Sequence, residues 1–433
     1  MKYTAYQRWL LTALLCVLAF NYVDRLALGL VLQDIKLDLH LTDVELGFLS
    51  GIAFALFYSL MGIPLARWAD RGNRVTIIAV TTVAWTIMVA LCGAAVSFAQ
   101  LLLVRVGVAI GEAGCIPPAH SLIADEFARA ERPRAVSIYM LGGSFSGLIG
   151  YFVAGWLNQL YGWRWMFVIL SLPGLVLAAM AWFTLREPRR DTLGAPSITH
   201  TSPESAPAAK EVWTVLWSNA TFRHLLFAFS VTCFFGYGIA QWQPSFFVRT
   251  YGLETGELGM WLAVISGVGG IVGTYGGGEW AYRRAANNER LQLKVMAAVC
   301  CSFGIISSFI YLTNSRFLAF LLLGLATAGI ATVSGPVFAT IQTLVPPRMR
   351  ATAISVIYLF SNLIGMGLGP LLAGALSDAL RPWAGEQSLR YALLALCPGY
   401  LWGAWHLWKA SQSVVRDLQA DRSSVPALHG VGQ

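Results

Sequence analysis

Twelve apolar runs, each long enough to cross a bilayer, constrain this chain more than any other feature. A hydrocarbon core of about 30 Å needs about 20 residues of helix. A window of about 19 residues picks out spans at 7–32, 43–66, 75–97, 101–123, 134–160, 165–185, 221–248, 257–281, 292–313, 316–345, 351–377 and 389–409. Backbone N–H and C=O groups in lipid must be satisfied within their own segment, so runs of this length must be helices. The sequence predicts an all-α membrane protein with twelve transmembrane helices. Only 12% of its 433 residues are charged, against roughly a quarter in soluble domains. The first run shows no small-residue cleavage pattern and is expected to stay as a helix.

Residues 186–220 interrupt the pattern with Pro188, Pro196, Pro203 and Pro207 among Ser, Thr and charged residues. They read as a cytoplasmic linker, with a short surface helix near Glu211–Trp217. The expected organisation is a six-helix half over 1–185, the linker, a second six-helix half over 221–410 and a cytoplasmic tail over 411–433. The halves form an internal repeat. Arg132-Pro133-Arg134-Ala135 answers Arg348-Met349-Arg350-Ala351, and Ser146-Gly147-Leu148-Ile149-Gly150 answers Ser361-Asn362-Leu363-Ile364-Gly365, at an offset of about 215 residues. Duplicated halves place a solute site between them near mid-membrane.

Orientation follows from the basic residues. With the N-terminus in the cytoplasm, about 22 of the 30 Lys and Arg residues fall in cytoplasmic loops and termini, as the positive-inside rule requires. Lys36, Arg164, Arg249, Arg316, Arg381 and Arg390 fall outside, and Arg25 and Arg105 lie within spans. Both termini are expected in the cytoplasm of a cell whose inner membrane holds the chain. The net charge of +8 therefore belongs to the membrane surface and implies no nucleic acid. The seven cysteines all sit in apolar runs without metal-ligand spacing, so no metal, disulfide or other cofactor is expected.

Four ionisable residues lie well inside the first half: Asp24 and Arg25 in the first span, Arg105 and Glu112 in the fourth. Each costs about 3 kcal/mol at helix centre on insertion scales, so they are expected to pair or to line a wet cavity. Asp24 lies about 13 Å below the outer end of its span, Arg105 about 8 Å and Glu112 about 18 Å. Asn21, Asp24 and Arg25 share a helix face, and Arg105 and Glu112 share another. This depth ordering predicts Asp24 near Arg105 and Arg25 near Glu112. Two roles fit these charges. They brace the two helices statically, or Asp24 or Glu112 takes and releases a proton as its arginine partner is exchanged for solute.

The second half offers neutral cavity candidates: Tyr237, Gln241 and Trp242; Thr332, Ser334, Phe338 and Gln342; Tyr358 and Asn362. Any one of these could instead be a packing residue. Together they predict a cavity charged on one side and apolar-aromatic on the other, suited to an amphiphile with an anionic head. Glycines in the fifth and eleventh spans permit close helix approach, and Pro117-Pro118 should kink the fourth. Asp70 with Arg71, Arg74 or Arg134 is expected either to latch the halves together at the cytoplasmic face in the outward-facing state or to form a solvated cluster. Asp38, His40 and Asp43 read as a solvated outer loop.

The stretch Asp70-Arg71-Gly72-Asn73-Arg74 resembles the loop motif of the major facilitator superfamily, Gly-x-x-x-Asp-Arg-x-Gly-Arg, with Ala66 and Asn73 standing where that family prefers glycine. Within it, Asn21-Tyr22-Val23-Asp24-Arg25 together with Arg105 and Gly111-Glu112-Ala113 resemble the Spinster family. That resemblance implies export of lysolipids or sphingosine-1-phosphate, with proton coupling in some members, and gives the first-span acid and the fourth-span Arg and Glu a part in coupling and substrate handling. The chain's partners are then a small amphiphilic solute, protons and membrane lipid, and the chain is expected to act as a monomer. The alternative within the same class is a proton-coupled organic-anion or drug transporter. An enzyme is not expected, since the chain has no paired-His motif, nucleophile elbow or Walker loop. A non-transporting receptor differs from a carrier in showing no solute flux.

Overall fold

The computed structural model describes residues 3–128, 131–188, 209–286, 288–345 and 349–423. Among them, ten helical runs are long and apolar enough to cross a membrane, and two of these are double. The run over 132–184 is broken at Gly162, where φ 78° and ψ 163° are non-helical and only glycine is unstrained. The run from Thr352 to Gln419 turns at Gly385, with φ 55°. With each double run counted as two passes, the twelve crossings expected from the sequence are present.

We number the crossings α1 (Ala5–Leu39), α2 (Asp43–Arg71), α3 (Arg74–Cys92), α4 (Phe98–Glu126), α5 (132–161), α6 (163–184), α7 (Ala220–Tyr251), α8 (Thr255–Ala285), α9 (Glu289–Leu312), α10 (Arg316–Leu344), α11 (350–384) and α12 (388–423). Polar residues set where they begin. The Thr4 and Thr42 side chains close capping boxes with Gln7 and Glu45. Asn73, Ser97, Asn219, Asn288 and Ser315 each accept an N–H from the first turn, and each such cap stabilises its helix by about 1 kcal/mol. α1 continues to Leu39, seven residues beyond the end of the apolar run, because hydropathy marks the oil boundary and caps mark the helix boundary. The short helix before α7 is also present, over Ala209–Ser218.

Four crossings are not regular. α2 bends at Gly51. α4 breaks between Glu112 and Ile116, ahead of Pro117 and Pro118. α8 and α11 each carry a wide π-turn, at Ile265–Gly269 and Ser361–Leu368, a distortion often found at functional positions.

α1–α6 pack chiefly on one another, and so do α7–α12. Between the two bundles, α2 lies along α11 and α5 along α8. Glycines make the seams tight. A Cβ on Gly259 of α8 would sit 2.4 Å from the Tyr151 carbonyl of α5, and one on Gly374 of α11 would sit 2.2 Å from the Asp43 carbonyl of α2.

Replacing Gly259 by Val should therefore push this end of the seam apart, at a cost of about 1–3 kcal/mol to the observed packing. Spin labels at Leu37→Cys and Trp383→Cys should show a longer-distance population at least about fivefold larger than in the parent. An unchanged distance distribution would mean that the seam does not hold this state.

Candidate functional site

The four charges of α1 and α4 meet in the core of the first bundle. Arg105 Nη1 donates to Asp24 Oδ2 at 3.1 Å. Arg25 Nε donates to Glu112 Oε2 at 2.7 Å, and Arg25 Nη2 donates to the same oxygen. This is the pairing expected from helix depth. Asn21 sits within the group, accepting from Arg25 Nη2 at 3.4 Å and donating to the Glu112 carbonyl at 3.5 Å. Asn21, Asp24, Arg105 and Glu112 are all buried.

Aromatic faces complete the cage. The Arg25 guanidinium lies 4.5 Å from the Phe54 ring centre, 4.8 Å from Tyr58 and 4.9 Å from Tyr22. Arg105 lies over the same Phe54 ring at 5.1 Å. Cations are attracted to such faces, most strongly where water is excluded. The bend at Gly51 and the apolar run after it bring Phe54 under both guanidinium groups. The quartet is not fully bonded. Asp24 Oδ1, Glu112 Oε1 and Arg105 Nε are buried with no hydrogen-bond partner among the described residues, and each orphan of this kind costs about 1–3 kcal/mol.

Arg25 and Arg105 face a cavity of about 350 Å³ between the bundles, walled also by Tyr22, Phe54, Gly147, Tyr151, Tyr237 and Gln241. A second chamber of about 350 Å³ lies within the second bundle, lined by Phe229, Thr232, Cys233, Ile330, Val333, Ser334 and Leu407. Tyr237 and Ala240 wall both, so the two adjoin along α7. One lobe carries two arginines and the other is apolar.

The remaining candidates from the sequence divide. Tyr237 and Gln241 line the central lobe, and Ser334 lines the apolar one. Phe338 stacks on Tyr358 at 5.3 Å, and Phe229 of the apolar lobe packs edge-on to Phe338 at 5.0 Å. Trp242 does not face either lobe. It is completely buried and donates from Nε1 to the Pro370 carbonyl at 2.9 Å, so it ties α7 to α11. Thr332 bonds back to the Gly329 carbonyl. Asn362 lies in the π-turn of α11, outside the lining of both lobes. The Gln342 side chain lies outside the described residues.

At the ends, Arg74 has partners that the sequence did not point to, and one expectation, a solvated Asp43, changes. Arg74 is fully buried within the first bundle, where Glu187 takes its backbone N–H, Nε and Nη2, and Asp125 takes Nη1. It ties α3 to α4 and to the end of α6, a role that Asn73 as helix cap and Glu187 just past α6 together impose. Asp70 and Arg71 are exposed, and the exposed Arg134 lies over the Tyr3 ring at 5.6 Å.

At the opposite end, Asp43 is buried, not solvated. Its carboxylate accepts from Lys36 at 2.5 Å, from Arg249 of α7 at 2.7 and 2.8 Å, and from Ser377 of α11 at 2.6 Å. Asp378 of α11 in turn caps the start of α2, accepting from the backbone N–H of Asp43 at 3.2 Å and of Val44 at 2.7 Å. Beside them Asn158 of α5 meets Thr255 of α8 at 3.0 Å. Apart from the Lys36 bond, which stays within the first bundle, these bonds cross between the bundles and seal the molecule at the Asp43 end. Sequence reading missed Arg249, Ser377 and Asp378 because each sits at a span end, where a charge costs little. Only the pairing across more than 200 residues marks them.

A family model described as Major Facilitator Superfamily matches residues 14–370. The chain belongs to the major facilitator superfamily. Among its relatives is an MFS-type efflux pump of Mycolicibacterium smegmatis, 33% identical over 399 residues that cover 92% of this chain and 91% of that one. Protein spinster homolog 1 of Xenopus tropicalis is 28% identical over 412 residues, covering 86% of this chain and 74% of that one. A crystal structure of a bacterial homolog of the human lysosomal transporter Spinster, inward-facing and unoccupied, superposes with a TM-score of 0.85 at 30% identity, covering 96% of this chain and 99% of that one. The superfamily member described here is thus a transporter of Spinster-like architecture and not an enzyme.

The quartet predicts a non-additive cycle in thermal stability. Glu112→Gln leaves half-buried Arg25 beside a neutral partner, and Arg25→Gln leaves fully buried Glu112 without its cation; each should cost up to about 3–5 kcal/mol. The double variant should lose clearly less than the sum when all are unfolded in the same detergent. Additive losses would mean that the pair is not coupled.

Proposed function

We propose that this carrier moves an amphiphilic anion of the lysolipid or sphingoid-phosphate type by alternating access, coupled to protons through Asp24 and Glu112. The observation that carries this reading is the two-lobed cavity. Arg25 and Arg105 supply guanidinium forks that match phosphate and carboxylate groups, while the lobe behind Tyr237 offers aliphatic and aromatic walls to a tail. The Spinster resemblance of Asn21–Arg25, Arg105 and Gly111–Ala113 implies the same substrate class, and the architecture shared with a Spinster homolog agrees with that resemblance.

The mechanism follows from competition for the arginines. An anionic head entering beside Arg25 or Arg105 displaces a carboxylate that the guanidinium had held ionised. A carboxylate stranded in oil takes up a proton, since burial disfavours its charge. Departure of the head lets the arginine recapture its partner and the proton leaves. Protonation and solute occupancy thus become linked through the same two cations, and the ion gradient drives the solute.

With both termini in the cytoplasm of the inner membrane, the Asp43 seal faces outward and the conformation is inward-facing. Outward opening then requires Arg249 to leave Asp43 and α5 to part from α8. The chain works as a monomer with one cavity between its bundles. A second reading, export of a drug-like apolar compound, is favoured by the efflux-pump relative, and uses the apolar lobe without a need for an anionic head.

Reconstitution in liposomes with lysolipid, organic-anion and drug panels, with and without a pH gradient, tests both. Lysolipid flux should rise with the gradient, and Arg105→Ala should lower it about tenfold or more, the worth of one charge-assisted bond. Flux unaffected by Arg105→Ala would remove the anionic-head reading. Asp24→Asn and Glu112→Gln both retaining gradient-driven uptake would remove proton coupling, and drug flux with no lysolipid flux would favour the second reading.

A further inference from the structure

The outer surface of the second bundle carries a group of side chains that transport does not use. Of the chain's 16 tryptophans, five gather where α7 begins, where α12 approaches its end, and on the short helix Ala209–Ser218. Trp213 and Trp217 stack at 5.3 Å, and Trp217 packs edge-on to Phe227 of α7 at 6.4 Å. Trp402, Trp405 and Trp408 project from α12, and all five tryptophans are exposed.

Within this frame lie two cations. Lys409 Nζ sits 5.2 Å from the Trp408 ring and 5.8 Å from Trp405. Arg223 Nη1 donates to the Trp217 carbonyl at 2.7 Å, which ties the short helix to α7. Neither cation has a carboxylate within ion-pair distance among the described residues. Between them His224 Nδ1 and His406 Nδ1 meet at 3.1 Å. One ring must donate and the other accept, so the accepting ring carries its remaining proton on Nε2 and adds an N–H donor to the group.

Depth selects the occupant. Lys409 closes the apolar run 389–409 and His224 lies three residues inside the run 221–248, about 5 Å from its end, which is the level of lipid headgroups. Tryptophan prefers that level because its ring is apolar and its N–H is polar. An apolar surface in lipid would be covered by acyl chains alone. Two uncompensated cations with additional N–H donors call for an anionic phosphodiester above those chains.

We propose that this surface is a binding site for an anionic diacyl phospholipid of the inner leaflet, such as phosphatidylglycerol. Arg223 and Lys409 hold its phosphate beside half-buried His224, which the buried His406 orients, and the indoles flank its glycerol and upper acyl chains. The lipid also fastens the Ala209–Ser218 helix, since Arg223 joins that helix to the phosphate. The site is separate from the transport cavity and does not depend on the substrate assigned above.

Native mass spectrometry of the detergent-purified full chain, mixed with equimolar phosphatidylglycerol and phosphatidylcholine, tests the assignment. The parent should retain phosphatidylglycerol in preference to phosphatidylcholine. Arg223→Gln with Lys409→Gln should lower that retention on the order of tenfold. Lys409→Gln alone, at a partly exposed position that leaves the Arg223 tie intact, should lower it by about half that factor on a logarithmic scale. Arg105→Ala in the transport cavity should leave it unchanged, which separates the two sites. Equal retention of both lipids by the parent, or unchanged retention by the double variant, would overturn the proposal. Displacement by soluble glycerol phosphate at equal concentration would assign the site to a free phosphate and overturn it as well.

Discussion

Two guanidinium groups cannot stay in oil unless something negative stays with them. Everything in the first bundle is arranged around that requirement. Arg25 and Arg105 each take a carboxylate from the neighbouring helix, and because the pairs cross between α1 and α4, the two helices are fixed in both depth and rotation. Phe54 lies beneath both cations, so α2 is drawn into the same arrangement. Buried ion pairs are a poor source of net stability compared with apolar packing. Under the proposed mechanism they persist because they permit a change of partner.

The orphaned atoms of the quartet make this concrete. Asp24 Oδ1, Glu112 Oε1 and Arg105 Nε are buried without a hydrogen-bond partner among the described residues. The site is charged, buried on one side and open to the central lobe on the other. Such a cluster can accept a proton or a polar head, and the coupling proposed above rests on that capacity.

Conformation is held at the other end of the same helices. The Asp43 carboxylate gathers Lys36, Arg249 and Ser377, and Asp378 caps the helix that Asp43 starts. α1 and α2 therefore run from the quartet to the seal. Glycine seams beside the seal allow backbones to meet without side chains between them, and such contact is either closed or absent. The π-turns of α8 and α11 lie on those same seams, with Ser266 and Gly267 against α5 and Gly367 against α2.

The sequence by itself determined the helices, their number and the pairing of the intramembrane charges, because oil penalises every unpaired polar group and leaves few solutions. It also placed the short helix before α7 within two residues. Only the tertiary structure decided which polar residues at span ends matter. Asp43 and Arg249 cost little where they sit and look like loop charges until the bundles come together, and Trp242 reads as a cavity aromatic until α11 supplies the carbonyl it bonds. Local energetics are written along the chain. Contacts between the bundles depend on how the two halves pack, and hydropathy contains no record of that arrangement.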